Sequence, residues 1–164
     1  MSSVRYEFPK YKLTQQLREP GGQTVADAVE AAQANLFELQ PECMNELQSA
    51  TAAALAAFQT FPADFNPDAL QQLYAIAARA VGIGAVCGVP AADTAFVSLC
   101  NLLDHLTVIQ RWDLEAIAVH VQTLQLLGVG QKLNEAAIEQ ILAGLQKVTR
   151  RYWQEASVAQ AASA

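Results

Sequence analysis

The stretch from Leu70 to Pro90, LQQLYAIAARAVGIGAVCGVP, constrains the fold more than any other, because read as one helix it carries two usable faces. At ~100° per residue, Leu73, Tyr74, Ala77, Ala80, Val81, Gly84 and Cys87 gather on one side, which reads as core. Gln71, Ala75, Ala78, Arg79, Gly82, Ala85 and Val86 gather on the other, a strip nearly free of long side chains. Something can therefore approach this backbone closely, either a neighbouring helix of the same domain or a partner protein. Gly82, Gly84 and Gly88 each cost about 1 kcal/mol relative to Ala in a helix, a cost that close packing or close docking explains.

The surrounding chain points to an all-α protein. It has 164 residues, 52% of them hydrophobic and only 16% charged, with Ala and Leu dominant and few Gly or Pro. That is enough chain for one domain with a core of its own. The N-terminus MSSVRYEFPKYK has basic residues with no apolar block after them, and no long uninterrupted apolar run follows. Neither a signal peptide nor a membrane span is predicted, and a cytoplasmic location is expected. Cys43, Cys87 and Cys100 sit in apolar helical patterns without CxxC spacing, as buried free thiols do. A net charge of −6 argues against nucleic acid as a partner. The basic clusters Arg5, Lys10, Lys12, Arg18 and Lys147, Arg150, Arg151 read as solubilising charge, the second also suiting a helix C-terminus.

Residues 1–23, with a Pro20-Gly21-Gly22 turn, show no sustained period and are predicted to form an extended arm. Thr24 with Asp27 three residues on resembles a capping box, opening a first helix to about residue 39 with Val25, Val29, Ala32, Leu36 and Leu39 on one side. Pro41 is expected to break or re-cap the chain. A second helix, about 42–61, carries the stripe Met44, Leu47, Thr51, Ala54 and Phe58. Asn66-Pro67 starts the two-faced helix, which Pro90 closes. The next, about 91–110, turns Phe96, Leu99, Leu102, Leu103 and Leu106 inward. Asp113 caps a fifth with Leu114, Ile117, Val121 and Leu124 inward, stopping at Gly128 and Gly130. The sixth runs from an Asn134 cap to about Tyr152 or beyond, with Ile138, Ile141, Leu142, Leu145 and Val148 inward. The expected organisation is one helical domain over 24–156 and a disordered tail over 157–164. Within it the four helices of 42–127 form an antiparallel bundle flanked by the first and last helices.

No catalytic constellation is evident. His105 falls away from the inward stripe of its helix and is expected to be exposed, whereas His120 borders its stripe and is expected to be partly buried and hydrogen-bonded. They are not a metal pair, and no metal site or cofactor is expected. The carboxylates are scattered, without a pairing for acid and base work. Gly82-x-Gly84 lacks the preceding strand a nucleotide loop needs. Tyr152, Trp112 and Trp153 read as core edges rather than a cofactor platform.

LYAIAARAVGIGAVCGVP, followed by SLCNLL, resembles the histidine phosphotransfer (Hpt) domains of bacterial two-component phosphorelays. In that family a helix of a four-helix bundle carries His, Lys three positions on, Gly four on and another Gly ten on. Gly82 and Gly88 match the glycines, while Ala78 stands in the place of the phosphorylated His and Val81 in that of the Lys. GGQTVADAVEAAQANL, RWD and VHVQTLQLL are similar to histidine-less Hpt relatives of chemotaxis systems. The resemblance, over about residues 24–150, implies a bundle without the phosphotransfer chemistry. It implies an adaptor, not an enzyme, that docks a response-regulator receiver domain or a sensor kinase through Gln71, Ala75, Ala78, Arg79, Gly82, Ala85 and Val86. Two alternatives stand beside it. One is a structural or oligomerising bundle that makes a homodimer; the other is a phosphotransfer protein using His105 or His120.

Overall fold

Asn66 shows how the local sequence builds these helices. Its side-chain oxygen accepts the N–H groups of Asp68 (2.9 Å) and Ala69 (3.2 Å), and Pro67, which has no N–H to satisfy, begins the first turn. The computed structural model describes residues 22–128 and 133–163, all helical apart from short connections. The helices are α1 (Val25–Gln59), α2 (Pro67–Ala80), the single turn α3 (Ile83–Val86), α4 (Pro90–Ile109), α5 (Leu114–Gly128) and α6 (Glu135–Ser163). The chain separates into two compact units, Met1–Asn35 and Leu36–Ala164, with the boundary falling within α1. The arm expected over 1–23 lies outside the described residues except for Gly22 and Gln23. In the first unit, Thr24 Oγ1 accepts the Asp27 N–H (3.1 Å) while Asp27 Oδ2 accepts the Thr24 N–H (3.3 Å), a reciprocal capping box.

Four sequence expectations are corrected. Pro41 does not break the chain but lies inside α1. The carbonyl it deprives of a partner belongs to Phe37, which is 73% exposed and open to water. The stretch 70–90 is not one helix: α2 ends at Ala80, Val81 is extended (φ −62°, ψ 128°) and Gly82 is left-handed (φ 97°). The tail expected to be disordered from 157 continues α6 to Ser163, in keeping with its Ala-rich composition and with Ala156 being buried. Finally, α6 is not a flank but a member of the core, contributing Leu145 and Tyr152.

The central element is α4. It packs against α2, α3, α5 and α6, and Ala92, Ala95, Phe96, Leu99, Leu102, Leu103 and Leu106 are all within 1% of full burial. At its end Gln110 takes the left-handed conformation (φ 48°), its N–H returning to the Leu106 and Thr107 carbonyls. Leu47, Thr51 and Ala54 are the buried face of α1, with Thr51 lying against Gly128 at the end of α5. Stacking of Phe61 on Trp112 (4.9 Å), with Phe65 edge-on to Trp112 (5.9 Å), joins the α1–α2 connection to the α4–α5 connection.

The start of α5 is pinned to α6. Asp113 accepts the Ala116 N–H (2.9 Å) as helix cap and the Tyr152 hydroxyl from α6. Arg111 pairs with Glu155 (2.8 Å) and lies over the Tyr152 ring. Burial alone would raise the Asp113 carboxyl. The Tyr152 and Ala116 hydrogen bonds and the nearby Arg111 and Arg151 charges outweigh it and hold that carboxyl below its ordinary value. Among the described residues one stretch, Pro67–Val86, has the length and mean hydropathy (1.2) of a membrane span. It is interrupted at Gly82, and Leu70, Leu73, Ala77 and Ala80 within it are core residues.

Candidate functional site

The strip singled out in the sequence divides in two. Gln71, Ala75, Ala78 and Arg79 share one exposed side of α2. Gly82, Ala85 and Val86 lie beyond the helix end, so they do not continue that side in helical register; Gly82 and Ala85 are exposed and Val86 is half-buried. Of the residues assigned to the opposite face, Leu73, Ala77, Ala80, Gly84 and Cys87 are buried, Tyr74 is half-buried, and Val81 is 41% exposed at the helix end.

The break also explains the glycines. Gly82 and Gly88 have positive φ (97° and 80°), which other residues adopt at a cost. Gly84 is buried, and a Cβ there would sit 2.5 Å from the Val89 carbonyl oxygen and 2.9 Å from Asp93 Oδ1. Asp93, in the first turn of α4, holds the reversal: Oδ1 accepts the N–H groups of Gly82 (3.0 Å) and Gly84 (2.9 Å), and Oδ2 accepts that of Ala85 (2.7 Å). The amides that an external anion would need are thus taken by a carboxylate of the chain itself.

Beside this side of α2 runs a cavity of about 240 Å³, with Glu46, Ser49, Ala50 and Ala53 of α1 facing Ile76 and Arg79 of α2. The sequence reading places docking on the helix over 42–61 as well as on the two-faced helix, but names none of these α1 residues. Their signal was the run of small residues in SATAAALAA, which period alone could not assign to a face. Ala78 offers no nucleophile, and at Gly82 an added Cβ would meet no atom within 4 Å.

A second concavity, about 410 Å³, lies between α4 and α6. At its floor Ser98 Oγ is 3.0 Å from His120 Nε2 and 3.0 Å from Thr149 Oγ1. His120 is fully buried, and its Nδ1 lies 2.8 Å from the Ala116 carbonyl. A carbonyl only accepts, so Nδ1 carries the proton and Nε2 accepts from the Ser98 hydroxyl. Burial lowers the imidazole's pKa, only partly offset by the Ala116 bond, so the ring is neutral. Ser98 and His120 thus meet as a nucleophile and base would. The ring, however, is oriented by a neutral carbonyl in a site that resists its charging, which suits it to joining α4, α5 and α6 rather than to accepting a proton. His105, expected to be exposed, is half-buried on the wall of this cavity, and its pKa is lowered by burial against the opposing pull of Asp104.

Cys87 and Cys100 are buried and Cys43 half-buried, all free. Burial, aided by Asp104, pushes the Cys100 thiol up to about 11. Among the described residues no group of three His, Cys, Asp or Glu side chains is placed to hold a metal ion. No family model, curated protein or solved structure matches this chain.

Proposed function

We propose that this chain is a non-enzymatic, Hpt-like adaptor of a bacterial two-component or chemotaxis relay, acting in the cytoplasm. It docks a response-regulator receiver domain through the exposed side of α2 and the neighbouring α1 wall. The observation that carries the reading is the exposed row Gln71, Ala75, Ala78 and Arg79, in which short side chains leave the helix backbone approachable. Arg79 borders both this row and the α1–α2 cavity, where it supplies a rim charge. With Ala at position 78 the adaptor occupies its partner without taking a phosphoryl group. The test is calorimetric titration with a receiver domain, together with incubation with its active sensor kinase and labelled ATP. Binding without label on the chain supports the reading, and Ala78→Arg weakens binding at least about tenfold. Label on the chain, or binding indifferent to Ala78→Arg, overturns it.

A homodimer is favoured by a separate observation. In the second unit Leu36, Phe37 and Leu39 of α1 are 49%, 73% and 48% exposed. Apolar side chains left in water at this density are characteristic of surfaces that associate. Light scattering across protein concentrations reads this directly: a dimer lost in Phe37→Glu supports self-association through α1, and a monomer throughout excludes it.

A further inference from the structure

We infer that the concavity between α4 and α6 is a binding site for a small aryl carboxylate. Its volume of about 410 Å³ falls within the range of small-molecule pockets. Its apolar surface comes from Val97, Leu142, Leu145 and Trp153. Two of these are conspicuous: Trp153 is 54% and Val97 43% exposed, on different helices, at the border of one cavity. An aromatic ring seated against Leu142 and Leu145 would cover both.

The charge of the site gives the ligand its other end. The chain carries a net charge of −6, yet no Asp or Glu lines this cavity, while Arg150 does. Arg150 makes no ion pair among the described residues, unlike Arg111 and Arg151, which both pair with Glu155. A guanidinium beside apolar walls selects a carboxylate, which it can grip with two parallel hydrogen bonds. The amides of Asn101 and Gln146, also on the wall, can donate to the same group. Below them the Ser98–His120–Thr149 set is already mutually hydrogen-bonded, so it forms a rigid floor. The site shares no residue with the α2 surface and stands independently of the adaptor reading.

The test uses the full-length, 15N-labelled chain titrated with 3-phenylpropanoate and, separately, with 3-phenylpropanamide, at constant ionic strength. The two indole N–H signals provide an internal contrast, because Trp153 borders the cavity while Trp112 is stacked on Phe61. Saturable shifts of the Trp153 indole and of amides in 97–101 and 146–150, with Trp112 unmoved, are expected. The acid should bind with a Kd below about 1 mM, and at least about fivefold more tightly than the amide. Arg150→Gln should bring the acid down to the amide's affinity, and Val97→Phe, filling the mouth, should remove both. Both positions are exposed, so thermal melts of the two variants should match the parent. No saturable shift at these residues overturns the site, as do shifts that include Trp112 equally; equal affinity for acid and amide overturns the ligand class.

Discussion

At the residue scale, His120 and Asp93 show how single polar side chains hold this apolar chain in one arrangement. The folded pKa of His120 lies below its ordinary 6.5. Above pH 6.5 the group costs nothing; as pH falls below it, the unfolded chain takes up a proton that the fold does not, and stability declines toward the folded pKa. Urea midpoints should therefore fall between pH 7 and pH 5. His120→Gln should lower stability at pH 7 and reduce that slope, leaving the share of His105, whose pKa is lowered in the same direction. A slope unchanged in His120→Gln would contradict the buried neutral ring. Asp93→Asn, which replaces a carboxylate accepting three N–H groups, should cost about 2 kcal/mol. Gly84→Ala should cost about 1–3 kcal/mol by overpacking, since its Cβ has no room beneath Val89. Chemical denaturation measures both. The burial of His120 was legible from its position beside an apolar stripe. Its partners Ser98 and Thr149 were not, because they come from helices 22 and 29 residues away.

At the element scale, the helices with strong local signals are where the sequence places them. Asn66-Pro67, Asp113 and Asn134 each cap as expected: the Asn134 side chain accepts the Ala137 N–H at 2.8 Å, as those of Asn66 and Asp113 do for their own first turns. The α4 stripe was legible because Phe96, Leu99, Leu102, Leu103 and Leu106 recur with helical spacing, and all are buried. Structure and sequence pattern differ where a distant residue or the solvent decides the outcome. The reversal at Gly82 depends on Asp93, eleven residues on, and a helical wheel drawn over 70–90 cannot contain it. Pro41 does not interrupt α1 because its cost is borne at an exposed turn. That cost remains measurable: Pro41→Ala should recover up to about 3 kcal/mol of local helix stability, seen as slower amide exchange over 36–45. Gln110→Gly, at the left-handed end of α4, should stabilise by up to about 1 kcal/mol. A lower melting temperature in Gln110→Gly would contradict the cost assigned to that conformation.

At the scale of the whole molecule, the core is assembled around α4, with α2, α3, α5 and α6 packed on it. This arrangement leaves one side of α2 uncovered, and that side carries the short side chains of Ala75 and Ala78. We propose this side of α2 as the place where a receiver domain docks. The most direct measurement is a titration of the 15N-labelled chain with a receiver domain, mapping which amides shift. Docking there should gather the shifts over residues 71–86 of the α2–α3 segment and 46–53 of the α1 wall. Shifts confined to the α4–α6 cavity or to the apolar residues 36–39 of α1, or none at all, would contradict it.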